Sequence, residues 1–245
     1  MTVSPAAVPV VASWREPEAV ATRGTVLVVP GRGEHAGVYE RFGRRIAADG
    51  YRVWAVADPT ADPGRTEHQV RALLESGPDS DTGPHPRVLV GSDAGALFAA
   101  GLAADLPGVA GLVLAGLPLG RGPAPEDEIT ARTACPVHQA RLRDDDGVRH
   151  GALEIPPPAE WISRADPARV RVPVLGLHGE ADSIAPLDDV RGWYSGLDDV
   201  ELVTVSGGRH DALNDATHRS AAATLVLFLE RLRAGVPALV RREVL

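Results

Sequence analysis

The sequence predicts an α/β fold built on a mostly parallel, doubly wound sheet. Six short apolar runs are rich in Val and Leu, and Gly, Pro or Asp bounds each of them. Such runs are typical of strands that are buried on both faces of a parallel sheet. Helical patterns alternate with them, and this alternation indicates the fold class. The predicted strands are residues 25–29, 51–57, 87–90, 109–115, 172–177 and 200–205.

Five helical patterns lie between or after these runs. The last one has the clearest amphipathic spacing, and arginines in its final turn suit the negative end of the helix dipole. One more strand is predicted near residues 8–14, at the edge of the sheet. The helices are predicted at residues 39–49, 66–76, 94–106, 187–196 and 220–234.

Residues 120–171, called the insertion segment below, interrupt this alternation. The segment is rich in Pro and charge, with an Asp run at 144–146 and a Pro run at 156–158, and its helical periodicity is patchy. It is too long for a plain connection. We therefore predict a cap or lid over one end of the sheet, inserted within a single domain spanning 1–245. A solvated turn is expected for the Asp run.

Composition restricts the class of protein. At 245 residues the chain is long enough for one large domain with a sizeable core. Its net charge of −8 argues against nucleic acid or an anionic membrane as the main partner. All 25 basic residues are Arg, which excludes a lysine Schiff base or a lysine general base. The expected partner is a small-molecule substrate, and no oligomeric state is predicted.

Sequence features also bear on location and cofactors. Cys135 is the single cysteine, so no intrachain disulfide can form. The stretch 1–20 has no positive charge before Arg15, unlike a secretory signal, and the longest apolar run, 109–119, is too short to span a membrane. We therefore expect a cytoplasmic protein without a membrane span. The sequence contains no metal-ligand cluster, phosphate loop or dinucleotide fingerprint, so no cofactor or metal is predicted.

The most informative feature is the segment 87–95, an apolar strand that runs into the pattern G-x-D-x-G. In a G-x-S-x-G elbow, a sharp strand–turn–helix presents a serine nucleophile at the top of an α/β sheet. Asp93 occupies the serine position here. A carboxyl with an ordinary pKa of about 3.9 is ionised at neutral pH and needs no base before it attacks. The alternative is a helix cap, but a cap would not require Gly91 and Gly95 on either side.

Two later loops carry an acid and a histidine after predicted strands. Asp182 follows the strand at 172–177, and His210 follows the strand at 200–205. Ligands bind at the carboxyl ends of strands in open α/β sheets, so these loops are expected to meet Asp93 there. A histidine beside Asp and Gly is more often an ordinary surface residue. The chain order nucleophile, acid, histidine favours a catalytic role, in which Asp182 orients His210 and His210 moves the proton.

These loops resemble those of α/β-hydrolases, most closely the monoacylglycerol lipase and lysophospholipase-like group. The stretch 30–35, Pro-Gly-Arg-Gly-Glu-His, resembles the H-G-x-G-E-H oxyanion loop of that group, with Pro30 in place of the usual His. The stretch 177–182 resembles its acid-bearing L-H-G-x-x-D loop. The similarity covers most of 25–120 and 172–234, and it implies an α/β-hydrolase fold.

Carried over residue by residue, the resemblance makes Asp93 the nucleophile, Asp182 the acid and His210 the base. Backbone N–H groups of Arg32 and Ala94 would form the oxyanion hole. An Asp in the elbow resembles the haloalkane dehalogenase and epoxide hydrolase branches. There the carboxylate attacks an sp³ carbon and forms an alkyl ester, which histidine-activated water then hydrolyses.

The usual partners of an Asp nucleophile are not found in the sequence. Epoxide hydrolases of this fold use cap tyrosines, but the insertion segment contains no Tyr. Haloalkane dehalogenases commonly place Trp directly after the nucleophile, where this chain has Ala94. Two residues of the insertion segment, Trp161 and His138, are the candidate substrate-binding residues.

Three functions remain open at this point. The first is a hydrolase with an Asp93–His210–Asp182 triad, which forms a covalent alkyl ester on Asp93 with an epoxide, a halide or a related sp³-carbon substrate. The second is a non-covalent acid/base lyase, cyclase or isomerase of specialised metabolism, which carboxyl pKa values raised by burial would suit. The third is a binding protein on an esterase-like scaffold that has lost catalysis.

Overall fold

A single seven-stranded sheet forms the centre of the molecule. The computed structural model describes residues 12–75, 86–120 and 125–240. The strands are β1 Ala12–Trp14, β2 Gly24–Val29, β3 Tyr51–Ala55, β4 Arg87–Ser92, β5 Gly111–Ala115, β6 Val174–Gly179 and β7 Val200–Val205. Their spatial order is β1-β3-β2-β4-β5-β6-β7, and all pairs are parallel except β1 with β3. The predicted doubly wound α/β fold is therefore confirmed.

Helices flank this sheet, and the five predicted ones are all observed as α1, α2, α3, α7 and α8. Three further helices, α4 to α6, lie in the insertion segment, and three short 3-10 helices complete the described elements. The α-helices are α1 Glu40–Ala48, α2 Pro63–Glu75, α3 Ala94–Ala103, α4 Glu128–Arg132, α5 Pro136–Asp144, α6 Ala159–Arg164, α7 Leu187–Tyr194 and α8 His218–Ala234. The 3-10 helices are Ala36–Tyr39, Ala152–Glu154 and Pro167–Arg169. Residues 8–11 and 76 of the predicted elements lie outside the described residues.

Prolines explain where several elements begin and end. Helix α2 begins at Pro63, earlier than predicted, because proline suits the first turn, where its missing N–H is not needed. Helix α3 ends at Ala103 rather than at 106, since Pro107 disfavours a helical backbone at the residue before it. Strand β6 begins directly after Pro173, which has no N–H to donate to the sheet.

The side chains of strand β2 pack alternately into two hydrophobic cores, one on each face of the sheet. Leu27 and Val29 belong to the core on the α3 side of the sheet. Val26 and Val28 belong to the core on the side of α1 and α8. All four side chains are fully buried. Successive side chains of a strand point to opposite faces, so a strand covered on both faces is apolar throughout rather than alternating.

The topology brings the predicted loops to one edge of the sheet. Because β2, β4, β6 and β7 run parallel, their carboxyl ends meet at the same edge, and β2 and β4 are direct neighbours. The insertion segment leaves β5 at this edge and returns to β6, and its helix α6 packs against α3. Its role as a cap stays a prediction. Among the described residues, no helix has both the length and the apolarity needed to cross a membrane.

Candidate active site

Asp93 lies in a tight turn between β4 and α3. Its backbone has φ 49° and ψ −128°, and it is the one non-glycine residue with positive φ in the described part of the chain. A Cβ at Gly91 would lie 2.4 Å from the Cα of Ala96, and one at Gly95 would lie 2.3 Å from the Val29 carbonyl oxygen. The glycines of G-x-D-x-G are thus required by close packing. Sparsely populated backbone of this kind concentrates at functional sites.

The Asp93 side chain is fully buried and is bound by four hydrogen-bond donors. Its Oδ2 accepts from the backbone N–H of Arg32 at 2.9 Å and from Arg32 Nε at 2.8 Å. Its Oδ1 accepts from Arg32 Nη2 at 2.6 Å and lies 3.1 Å from His210 Nε2. The side chain makes no capping hydrogen bond to α3, so the alternative of a helix cap is wrong.

Asp182 and His210 meet Asp93 as the chain order predicted. His210 Nδ1 lies 2.8 Å from Asp182 Oδ2, while its Nε2 faces Asp93. The other oxygen of Asp182 accepts from the backbone N–H groups of Ile184 and Ala185, each at 2.9 Å. These bonds fix the carboxylate, and the carboxylate fixes the imidazole between two acids. The three predicted residues therefore form a continuous Asp–His–Asp chain of hydrogen bonds.

His178 supports the acid from the other side. It is fully buried at the end of β6, with Nε2 2.6 Å from the carbonyl oxygen of Ala185 and 3.3 Å from Asp182 Oδ2. Burial lowers the pKa of His178, and the nearby Asp182 charge offsets this only in part. His178 is thus a neutral second partner of Asp182. It lies within the L-H-G-x-x-D pattern, but sequence reasoning gave it no role.

Arg32 contributes more than its predicted backbone N–H. That N–H donates to Asp93 Oδ2, and its part in an oxyanion hole stays a prediction. Its guanidinium also grips the same carboxylate through Nε and Nη2, and Nη1 points to carbonyl oxygens of the insertion segment. The N–H of Ala94, the second predicted donor, makes no hydrogen bond to Asp93. Its role in the oxyanion hole stays a prediction. The buried Arg32 side chain is the main feature that sequence reasoning missed.

Comparisons with known proteins match the fold closely and the sequence weakly. No protein-family model matches the chain, and no curated protein matches its sequence. A monoacylglycerol lipase from Paleococcus ferrophilus superposes with a TM-score of 0.74 at 20% identity, over 91% of this chain and 97% of that chain. The chain has the α/β-hydrolase fold. A monoglyceride lipase from Saccharomyces cerevisiae has a TM-score of 0.73 at 14% identity, covering 90% of each chain.

A third similar structure is a thermostable carboxyl esterase from Bacillus coagulans. Its TM-score is 0.66 at 17% identity, over 90% of this chain and 93% of that chain. Identities this low support the fold alone. A fold does not determine a reaction, so the chemistry of this chain has to be argued from its own side chains.

Four charged groups follow one another in this buried site, and positive groups alternate with negative ones. Burial alone would raise the pKa of the Asp93 carboxyl, but the Arg32 guanidinium and His210 hold it well below its usual range. Burial alone would lower the pKa of His210, yet Asp182 and Asp93 raise it to about 10. At neutral pH the chain of charges is therefore Arg32⁺, Asp93⁻, His210⁺ and Asp182⁻.

The carboxyl pKa values differ from one sequence-based expectation. The acid/base hypothesis relied on burial raising the pKa of the paired carboxyls, and this is wrong for Asp93 and Asp182. Burial raises the pKa of Asp182 less than the adjacent His210 lowers it. Each carboxylate has a cationic partner, and direct pairing outweighs desolvation.

A pH-dependent stability follows from the raised pKa of His210. A histidine whose pKa rises from 6.5 to about 10 on folding stabilises the native state fully below about pH 6.5, and this contribution is lost as the pH rises toward 10. Urea denaturation of wild type and His210→Gln should therefore show a large difference in unfolding free energy at pH 6.5, which shrinks by pH 10. The exposed His68→Gln variant serves as the control and should show little difference at either pH. A His210→Gln difference that stays constant between these pH values would contradict the assignment.

A second buried polar cluster joins the oxyanion loop to the insertion segment. Tyr39 donates to Glu34, and Glu34 Oε1 lies 3.3 Å from Arg132 Nη1. Arg132 Nη2 donates to the carbonyl oxygen of Arg32 at 2.6 Å. Burial and the neighbouring Asp211 raise the pKa of Glu34 to about 7, although Arg132 opposes this. The cluster positions the backbone on both sides of the Arg32 donor.

The same cluster has the composition of a metal site. Ligand atoms of Glu34, His138 and Asp211 lie within 4.8 Å of one another. However, Arg132 Nη1 lies 3.3 Å from Glu34 and 3.8 Å from Asp211, and it already supplies a cation to both carboxylates. His138 in turn lies 3.1 Å from Asp211. The donor set therefore fits an arginine-centred ion-pair cluster better than a metal ion.

The two candidate substrate-binding residues have structural partners. Trp161 is buried in the core and packs on Phe98 of α3, with ring centroids 4.8 Å apart. His138 is buried and contacts Asp211, and it makes no hydrogen bond to Asp93. These contacts give Trp161 a packing role and His138 a hydrogen-bonding role. Their direct part in substrate binding stays a prediction.

Proposed function

We propose that this protein is a small-molecule hydrolase that uses Asp93 as a nucleophile and forms an alkyl ester on it. The observation that carries the proposal is that the two oxygens of Asp93 have different hydrogen-bond partners. Oδ2 lies on the backbone N–H of Arg32, and Oδ1 lies on the His210 side. In an ester formed at Oδ1, Oδ2 would be the carbonyl oxygen and would already face its oxyanion donor.

In the first step, Asp93 Oδ1 attacks an sp³ carbon. A C–O bond forms while the bond to the leaving group breaks, and the leaving group departs with the electron pair. Ordinary carboxylic esters are unsuitable substrates, because attack by a carboxylate would produce an anhydride and expel a poor alkoxide leaving group. The sequence offers neither cap tyrosines nor a Trp directly after Asp93 as donors to the leaving group. The Arg32 guanidinium is a charged hydrogen-bond donor beside Asp93 Oδ1.

In the second step, water attacks Cγ of the Asp93 ester. Alkylation removes the negative charge of Asp93, which is one cause of the raised pKa of His210. That pKa therefore falls when the ester forms, and His210 gives its proton to the departing leaving group or to solvent and becomes a base. It takes a proton from water while negative charge develops on Oδ2, stabilised by the N–H and Nε–H of Arg32.

Collapse of this intermediate restores the site. The Cγ–Oδ1 bond breaks and the product alcohol takes the proton from His210. The new Asp93 carboxyl, which keeps one oxygen from water, then passes the remaining water proton to His210 and becomes a carboxylate again. Asp182 keeps His210 oriented throughout and stabilises its charged form. The resting ion pairs and the catalytic cycle thus use the same four groups.

A binding protein without catalysis is the second candidate function. The observation that favours it is the saturation of Asp93, which is fully buried with four donors around its carboxylate. Each hydrogen bond to a carboxylate reduces its reactivity as a nucleophile, so attack requires the Arg32 grip on Oδ1 to loosen when substrate binds.

Trapping the ester distinguishes the two functions. We expect His210→Gln to accumulate one alkyl group on Asp93 when incubated with 2-bromopropionate or its methyl ester, because only ester hydrolysis requires the base. Intact-protein mass and peptide mapping provide the measurement, and His68→Gln is the matched control that should not accumulate the adduct. Alkylation of Cys135 alone, or no alkylation by either reagent, would overturn the hydrolase proposal in favour of the binding protein.

A further inference from the structure

A cavity of about 360 Å³ lies between helices α1 and α5. This volume falls within the range of protein sites that hold small molecules. The cavity is separate from the candidate active site. Its lining, over the ranges of the chain that the structure describes, includes neither Arg32 nor any member of the Asp–His–Asp chain.

Three arginine side chains line this cavity, Arg41 and Arg44 from α1 and Arg141 from α5. Two of them form ion pairs with carboxylates. Nη2 of Arg44 lies 2.8 Å from Glu40, and Nε of Arg141 lies 3.0 Å from Asp145. Three guanidinium groups therefore meet two carboxylates, and one positive charge is left over.

Arg41 supplies the excess charge. Its Nη1 donates to Cys135 Sγ at 3.3 Å, and its Nη2 donates to the backbone carbonyl oxygen of Asn214. No carboxylate in the described part of the chain forms an ion pair with it. Burial and the charge of Arg41 lower the pKa of His218, so its positive potential reaches the neighbouring helix α8. This local charge is opposite in sign to the net charge of −8 of the whole chain.

The other lining residues add one polar contact and two apolar walls. The Asn214 side chain is 2% exposed, and its Oδ1 accepts no hydrogen bond from any residue within 12–75, 86–120 and 125–240. A buried acceptor without a donor costs free energy, which a donor on a bound molecule would recover. Val38 is buried, whereas Val137 is 70% exposed and lies on the open side of the cavity.

The geometry points to this cavity as a binding site for a small organic acid whose short apolar body carries a hydroxyl or N–H group. The carboxylate pairs with Arg41, because a planar guanidinium matches a carboxylate in charge and shape. The apolar body contacts Val38 and Val137, and the hydroxyl or N–H group donates to Asn214 Oδ1. This site does not depend on whether Asp93 is a nucleophile.

Calorimetry on the full chain tests the ligand class with three matched probes. We expect 3-hydroxyhexanoate to bind at least about tenfold more tightly than hexane-1,3-diol, which lacks the charge. It should also bind about fivefold more tightly than hexanoate, which lacks the hydrogen-bond donor for Asn214. Equal affinity for the acid and the diol, or no binding of the acid, would overturn the inference.

Two variants locate the bound acid. Val137→Asp places a carboxylate at the open side of the cavity, and its exposed position should leave the fold intact. It should weaken 3-hydroxyhexanoate binding by at least about tenfold, because like charges repel. Leu227→Asp makes a similar change at an exposed position of α8 and serves as the matched control with unchanged affinity.

Arg41→Met removes the excess charge and should abolish the preference for the acid over the diol. Arg171→Met, in an exposed ion pair, should keep that preference. Circular dichroism checks that each variant is folded, and Val137→Asp decides the question if Arg41→Met is not. An affinity for 3-hydroxyhexanoate that Val137→Asp leaves unchanged would place the acid elsewhere on the protein and contradict this site.

Discussion

Replacing Arg32 with Met is expected to lower the free energy of unfolding by about 3 kcal/mol, because it removes one partner of a buried ion pair. Arg32 Nη2 and Asp93 Oδ1 are 2.6 Å apart, and both side chains are almost completely excluded from water. Without the guanidinium, the buried carboxylate loses two of its four hydrogen-bond donors, Nε and Nη2 of Arg32. It keeps only the backbone N–H of residue 32 and His210. Urea denaturation at neutral pH measures the loss.

Two further variants make this prediction specific. Arg171→Met changes the same residue type in an exposed ion pair with Asp198, and it should cost less than about 1 kcal/mol. The double variant Arg32→Met/Asp93→Asn removes both buried charges and should recover most of the loss. Asn suits position 93 because it tolerates a positive φ better than most residues. A loss in Arg32→Met no larger than in Arg171→Met would contradict the buried pair.

Asp93→Asn should reduce turnover of 2-bromopropionate by at least about a thousandfold, because a neutral amide is a poor nucleophile and the covalent route has no substitute for the carboxylate. The variant should lose stability much as Arg32→Met does, because the buried Arg32 cation loses its partner, so its folding is checked by circular dichroism before turnover is measured. Bromide release is the measurement. Asp198→Asn makes the same chemical change at an exposed position and should leave turnover intact. Comparable activity in the two variants would exclude Asp93 as the nucleophile.

Much of the fold could be predicted because apolar runs and turn residues are local signals. The strands of the parallel sheet can be recognised in the sequence as continuous apolar segments, since both faces of the sheet are buried. The G-x-D-x-G spacing predicted a tight elbow, and the close approach at Gly91 and Gly95 gives its physical reason. The boundaries were less accurate where a proline starts or stops an element, as at Pro63 and Pro107.

The Asp–His–Asp arrangement was also predictable, because topology rather than detailed packing brings the loops together. Parallel strands deliver Asp93, Asp182 and His210 to one edge of the sheet whatever their side-chain rotamers. The backbone donor of Arg32 was expected only from the resemblance of residues 30–35 to a known oxyanion loop.

The Arg32 side chain could not be placed from the sequence, because its direction depends on a partner that lies 61 residues away in the chain. A usable signal was nevertheless present. An Arg inside the oxyanion loop and an Asp in place of the elbow serine are opposite charges at two positions that this fold brings together. The Glu34–Arg132 pair spans 98 residues and had no motif to reveal it.

The most direct test of the central claim is whether an oxygen atom of water enters the Asp93 carboxylate. Wild-type protein would turn over 2-bromopropionate in heavy-oxygen water, and tandem mass spectrometry of the peptide containing Asp93 would locate the label. The proposed mechanism predicts a heavy oxygen in that carboxylate, because water attacks Cγ of the enzyme ester. Product that carries the label while Asp93 carries none would show direct attack of water on the substrate, and it would contradict a nucleophilic Asp93.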